Sequence, residues 1–177
     1  MKITMRILTG LMLTVLVSAC SSPQVDQYAG TSPGLDLRTF LDGELMAYGM
    51  LQDRSGNMTR RFVATLRGSW SGETGTLIEH FSFDDGEEQD RTWTLTHLGN
   101  GQYRGTADDV LGTAEGRIGG SVFQWQYQLE VPWNDGSIAV NLDDWLYLID
   151  ERHLLNKTTL TKFGFRVGEL TLVIEKI

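Results

Sequence analysis

Residues 123–131 read Phe123-Gln124-Trp125-Gln126-Tyr127-Gln128-Leu129-Glu130-Val131, a large apolar side chain at every odd position with only Gln or Glu between. That alternation has the period of a strand with one buried and one wet face, so Phe123, Trp125 and Tyr127 point into a core. Outward from this segment, period two fills the chain from Gly43 onward, and no stretch of more than ten residues keeps a helical period. Turn signals punctuate it at Ser55-Gly56-Asn57, Asp84-Asp85-Gly86, Gly99-Asn100-Gly101, Gly119-Gly120, Pro132-Trp133-Asn134-Asp135-Gly136 and Phe163-Gly164. Strands are therefore predicted over 44–54, 58–67, 77–83, 87–97, 103–107, 113–118, 123–131, 137–149, 154–162 and 165–176.

One hairpin sets its own register. A three-residue loop with Gly86 in the left-handed position makes Phe83 face Glu87, which puts Leu77 opposite Trp93 and Glu79 opposite Arg91. Leu77, Phe81, Trp93 and Leu95 then share one face, and Thr92, Thr94 and Thr96 share the other; a slip of one residue mixes the two sets. A row of hairpin-linked strands this long leaves bare edges unless it closes. The expected fold is all-β, one antiparallel up-and-down barrel of about eight to ten strands. A short N-terminal helix is expected before Gly43, where apolar residues fall at 37, 40 and 41. Glutamine and glutamate on the outer face of 122–131 argue against a barrel that crosses lipid. A barrel of this size holds either a small ligand or its own side chains. Gly105, Ala107, Ala114 and Gly116 form a run of small residues that favours a cavity or a bulged corner.

Composition narrows the function classes. A hydrophobic share of 41% with 10% aromatics is enough to build a core. With 15 Lys+Arg against 23 Asp+Glu, a net charge of −8, the chain has no basic surface to neutralise phosphates, and no nucleic-acid partner is expected. His80, His97 and His153 have no metal-ligand spacing, so no metal or other cofactor is expected. No Gly-x-Ser-x-Gly elbow and no Gly-x-x-x-x-Gly-Lys loop occurs. The expectation is a protein that is not an enzyme.

The first residues are an address. Lys2 and Arg6 precede the apolar run 7–17, which at 11 residues is shorter than the ~20 needed to cross a bilayer, and Ser18-Ala19 follow it; residues 1–19 read as a signal peptide. Val17-Ser18-Ala19-Cys20 resembles the lipobox of bacterial lipoproteins. The resemblance implies cleavage before Cys20, the only cysteine, with a diacylglycerol on its sulfur and acylation of the new amino terminus. Acyl chains at ~0.8 kcal/mol per buried CH₂ would make the membrane a lasting partner. Removing Lys2 and Arg6 leaves 13 basic against 23 acidic residues, a net of −10. The same resemblance implies a location: Ser21 follows the cysteine where, in enterobacterial-type sorting, Asp would mark inner-membrane retention, so the expected site is the outer membrane, with the protein on its periplasmic face. Residues 20–34, small and polar with Pro23, Gly30 and Pro33, read as a lipidated tether, and 35–177 as the barrel domain.

The chain also resembles an uncharacterised bacterial lipoprotein family, a domain of unknown function with a lipocalin-like barrel, over roughly residues 36–176. The resemblance rests on Phe40-Leu41-Asp42-Gly43, Glu79-His80-Phe81-Ser82-Phe83-Asp84-Asp85-Gly86, Arg91-Thr92-Trp93, Tyr103-Arg104-Gly105, Asp143-Asp144-Trp145-Leu146-Tyr147 and Phe163-Gly164-Phe165-Arg166-Val167-Gly168-Glu169. It implies a calycin-like barrel and an anchored location, and brings no reaction with it. Gly68-Ser69-Trp70 is similar to the lipocalin Gly-x-Trp signature but follows two predicted strands instead of lying on the first.

The candidate interior residues are Glu79, Phe81, Arg91, Trp93, Phe123, Trp125, Tyr127 and Asp144. Glu79 and Arg91 form either a polar contact for a ligand head group or a structural pair that fixes register, since a buried pair is costly unless fully hydrogen-bonded. One of Asp143 and Asp144 must face inward, to pair with Arg166 or Arg91, to meet a ligand, or to act as an acid with a raised pKa. The aromatic row is core or ligand wall. Three functions follow: a barrel that binds or shields an apolar or amphipathic small molecule, lipid included; a filled barrel serving as a structural or protein-interaction module of the envelope, its protein partner unspecified; or an enzyme using Asp144 or Glu79 with a histidine. The first is the leading expectation.

Overall fold

The computed structural model describes residues 23–133 and 136–177. Cys20, and with it the expected signal peptide and lipidation site, lies outside the described residues. Ten strands follow in chain order: β1 (Gly43–Asp53), β2 (Met58–Ser71), β3 (Thr74–Phe83), β4 (Glu88–Gly99), β5 (Gln102–Thr106), β6 (Val110–Gly119), β7 (Val122–Trp133), β8 (Gly136–Leu148), β9 (His153–Lys162) and β10 (Phe165–Lys176). Each pairs antiparallel with its neighbour in sequence, and β1 also pairs with β10, which closes the barrel and removes both edges.

The expected register holds. Leu77 lies opposite Trp93 and Glu79 opposite Arg91, with the Phe83 N–H donating to the Glu87 carbonyl at 2.9 Å across a turn in which Gly86 has φ +88°. That φ is left-handed, so an L side chain there is strained. The first turn is fixed by Asp53, whose carboxylate accepts from the Ser55 N–H at 2.8 Å and the Asn57 N–H at 3.0 Å. The β6–β7 register shifts between Leu111 and Glu115, a bulge in the glycine-rich stretch.

The two ends differ. A four-residue helix, α1 (Leu37–Phe40), is capped by the Asp36 carboxylate, which accepts from the Arg38 N–H at 3.0 Å. Its Leu37 and Phe40, with the following Leu41, are buried in the same core as Leu45, Leu66, Leu77 and Leu95. The helix lies at the end marked by the β2–β3 turn, since Arg38 pairs with Glu73 and the Lys176 ammonium donates to the Thr39 carbonyl. It plugs that end. The opposite end, termed the mouth, carries the other hairpin tips, on which Trp133, Phe163 and Phe165 are exposed.

Residues 23–34 correct one expectation. Composition reads them as an extended tether, yet Val25–Tyr28 forms a 3-10 turn whose Val25 is fully buried against Val122 and Trp145 on the outside of the barrel. Thr31 accepts from the Ser121 N–H at 2.9 Å, and the Leu35 N–H donates to the Gly120 carbonyl at 2.9 Å. The segment folds down because Val25 fills an apolar patch that Val122 and Trp145 would otherwise expose.

The run of small residues is also not the cavity. A Cβ at Gly116 would stand 2.4 Å from the Trp125 Cβ and 2.5 Å from the Phe123 ring, and one at Gly105 2.8 Å from the Trp125 ring. These glycines leave space that the aromatic wall occupies.

Candidate functional site

Toward the mouth, the inward positions are Leu77, Glu79 and Phe81 on β3, Leu95, Trp93 and Arg91 on β4, Phe123, Trp125 and Tyr127 on β7, and Leu146 and Asp144 on β8. They enclose, with Leu37 and Leu41 as floor, a cavity of about 110 Å³. All eight interior residues expected from sequence line it. The rings pack on one another: Trp93 and Trp125 centroids are 4.6 Å apart, and Trp93 and Tyr127 5.4 Å at 85°.

Two polar groups interrupt this apolar wall. The first is Asp144, only 7% exposed. One carboxylate oxygen accepts from the Trp125 indole N–H at 2.9 Å and the Tyr127 hydroxyl at 3.3 Å. The other accepts from the Thr158 hydroxyl at 2.8 Å and from the Asn156 side-chain amide. Burial pushes its pKa up, and these four donors hold it down in part. Both sequence-level pairings for Asp144 fail: Arg166 pairs with Glu169 outside the barrel, and Arg91 is occupied elsewhere. Asp143 faces outward and accepts from Gln124, Gln126 and the Trp145 indole.

The second is Glu79 with Arg91. They face each other in register as expected, but Glu79 Oε2 is 3.7 Å from Arg91 Nη1, too far for a hydrogen bond. Arg91 turns to Asp109 in the β5–β6 turn, donating from Nε at 2.9 Å and from Nη2 at 2.7 Å to the same carboxylate. Glu79 Oε2 is buried and finds no hydrogen-bond donor among the described residues. Burial pushes the Glu79 pKa up to about 7; Arg91 and the Trp93 indole oppose the rise, while Asp109 and Asp144 add to it. Tyr127 is also driven upward by burial and then by Asp144.

Sequence reasoning missed Asp109, Asn156 and Thr158. Asn156 and Thr158 share the inward face of β9 with Leu154 and Leu160 and are legible by that parity as inward polar positions; Asp109 carries no local signal for its partner. None of the three histidines lines the cavity: His80 meets Asp90 and Glu88, His97 meets Glu73 and His153 meets Asp150. The geometry therefore assembles no carboxylate–histidine pair inside. Among the described residues no group of three or more His, Cys, Asp or Glu side chains could hold a metal ion.

A closed antiparallel barrel, plugged by an N-terminal helix and lined by aromatics around a few buried polar groups, defines the class as lipocalin-like. Within it, the chain belongs to the family described as "Protein of unknown function (DUF3833)", which matches residues 14–176. The S-type phycobiliprotein lyase of Guillardia theta has the same fold, with TM-score 0.56 at 7% identity over 86% of this chain and 96% of that one. A protein of unknown function from the DUF3598 family of Nostoc punctiforme has TM-score 0.58 at 18% identity over 84% of this chain and 53% of that one. No curated protein matches the chain.

Proposed function

We propose that the protein is an outer-membrane lipoprotein, anchored through Cys20 on the periplasmic face, whose barrel binds a small amphipathic molecule without chemical conversion. The observation that carries the binding reading is the buried, unsatisfied Glu79 oxygen in an aromatic-walled cavity, because a buried acceptor without a partner is costly and a bound donor would relieve it. The fold shared with a phycobiliprotein lyase is in keeping with a ligand-holding interior.

Volume limits what enters. At about 110 Å³ the cavity is smaller than the roughly 150 Å³ space that holds benzene, and well below the ~300–1,000 Å³ of drug-sized pockets. The interior accepts a short chain or a compact head group. A larger lipid places only one end inside, with the rest leaving through the mouth.

The anchor sets orientation. Buried Val25 lies five positions after Cys20, a reach of at most about 18 Å. Val25 docks beside Gly119 at the plugged end, so lipidation at Cys20 would hold that end near the bilayer and aim the mouth away from it. The exposed Trp133, Phe163 and Phe165 favour the rival reading, a filled barrel that contacts another envelope protein.

Native mass spectrometry of protein released from membranes in mild detergent tests the binding reading. A retained small molecule supports it; a barrel that stays empty and takes up none of a panel of compact amphiphiles supports the rival. For the anchor, Cys20→Ser is expected to move the protein from the membrane fraction to the soluble one, and an unchanged membrane fraction would count against lipidation.

A further inference from the structure

Charge inside the barrel is unbalanced. The groups facing Glu79 are Arg91 from β4, Asp109 from the β5–β6 turn, Tyr127 from β7 and Asp144 from β8, so three carboxylates surround one guanidinium. That guanidinium is already committed: Nε and Nη2 bond Asp109, and only Nη1 remains, 3.7 Å from Glu79. An anionic head group would find no free cation and three carboxyl groups. A donor or a cation would find the open oxygen of Glu79.

Chemistry beside that oxygen points the same way. Trp93, Trp125 and Tyr127 line the space next to Glu79 and Asp144, and the ring quadrupole of Trp and Tyr attracts cations, most strongly where water is excluded. Asp144 has its donors from the protein itself, whereas Glu79 Oε2 has none among the described residues, so Glu79 is the receiving group.

Resting on the binding reading above, we infer that the ligand carries a compact ammonium head, a primary or methylated alkyl amine, held by Glu79 beside the Trp93–Trp125–Tyr127 wall. Binding then favours the ionised form of Glu79. Because burial holds its pKa near 7, a protonated Glu79 must release its proton to the solvent when an ammonium arrives at lower pH.

The test uses three probes of one size on the full folded protein: n-butylammonium, 1-butanol and butyrate, titrated by NMR. Expected is butylammonium tighter than butanol at pH 8 and butyrate weakest. Butylammonium affinity is expected to fall about tenfold from pH 8 to pH 6, as ionised Glu79 drops with its pKa near 7. Butanol affinity should not fall in parallel. Glu79→Gln should weaken butylammonium at least tenfold at pH 8, and a dispersed NMR spectrum matching the parent's outside the cavity reports that the variant is folded. Butyrate as the tightest probe, or butanol and butylammonium bound equally with no effect of Glu79→Gln, would overturn the inference and leave the binding reading standing. Binding of none of the three would overturn both.

Discussion

Two buried carboxylates share one cavity and differ in everything that surrounds them. Asp144 sits on β8 with four donors from β7 and β9, so its charge, or its proton, is held by a network the strands themselves supply. Glu79 sits on β3, with its natural partner Arg91 drawn away to Asp109 and one oxygen left without a donor. The difference separates a group that holds the fold together from one that weakens it. A satisfied buried network stabilises and specifies a core, whereas a lone buried acceptor is retained at a cost that calls for another use. In this barrel the use proposed is a ligand.

The largest effect should come from breaking the satisfied group. Asp144→Ala strands the Trp125 indole, the Thr158 hydroxyl and the Asn156 amide inside the barrel, and is expected to lower stability by about 4 kcal/mol in urea unfolding at neutral pH. A loss under about 1 kcal/mol would show that the network does not brace the strands.

Removing the unsatisfied group should do the opposite. The folded Glu79 ionises near 7, against 4.5 as its ordinary value, so the native state holds a proton the unfolded chain has released. Stability from this group is full below about pH 4.5 and is lost as pH rises to about 7, by about 3 kcal/mol. Glu79→Gln should therefore be more stable than the parent at pH 8 and no different near pH 4. Its stability–pH curve should be flatter; the residual slope in the same direction belongs to Asp144, whose pKa is raised as well. A variant less stable than the parent at pH 8 would reverse the contrast.

A smaller effect tests the wall that both carboxylates share. Gly116→Ala drives a methyl group into Phe123 and Trp125, and is expected to cost about 2 kcal/mol, seen as a lower Tm, with displaced Trp125 resonances. The smallest sharpens the charge argument. Asp109→Asn frees Arg91 to approach Glu79 and removes a repelling carboxylate, so the Glu79 titration midpoint should move down with little change in stability at acid pH. An unmoved midpoint would show that Arg91 is not shared between the two acids.

The fold was legible to the level of register because its determinants are local. Period two appears in single strands such as 123–131, and the turns announce themselves through Asp53, Asn57 and Gly86 within four residues of what they bond. The site was legible only as far as alternation reaches. Position 144 points inward by parity with Leu146, but the identity of its partners depends on which strand lies beside β8, a fact of closure that no segment encodes alone. Arg91 shows the limit most clearly, since Glu79 is its register partner and Asp109, 18 residues on and in a turn, takes its hydrogen bonds. Glycine reads ambiguously for a related reason. Gly105 and Gly116 look like absent volume along the chain, and only three-dimensional packing shows the indole and phenyl rings that occupy it. The N-terminal segment hid its docking in one apolar residue, Val25, among small polar neighbours.

The most direct measurement is an NMR titration of the Glu79 side-chain carboxyl carbon in the free protein and in the presence of saturating n-butylammonium. The account gives a midpoint near 7 in the free barrel that falls when the ammonium occupies it. An ordinary carboxylate midpoint in the free protein, or a midpoint near 7 that the probe leaves in place, would contradict it.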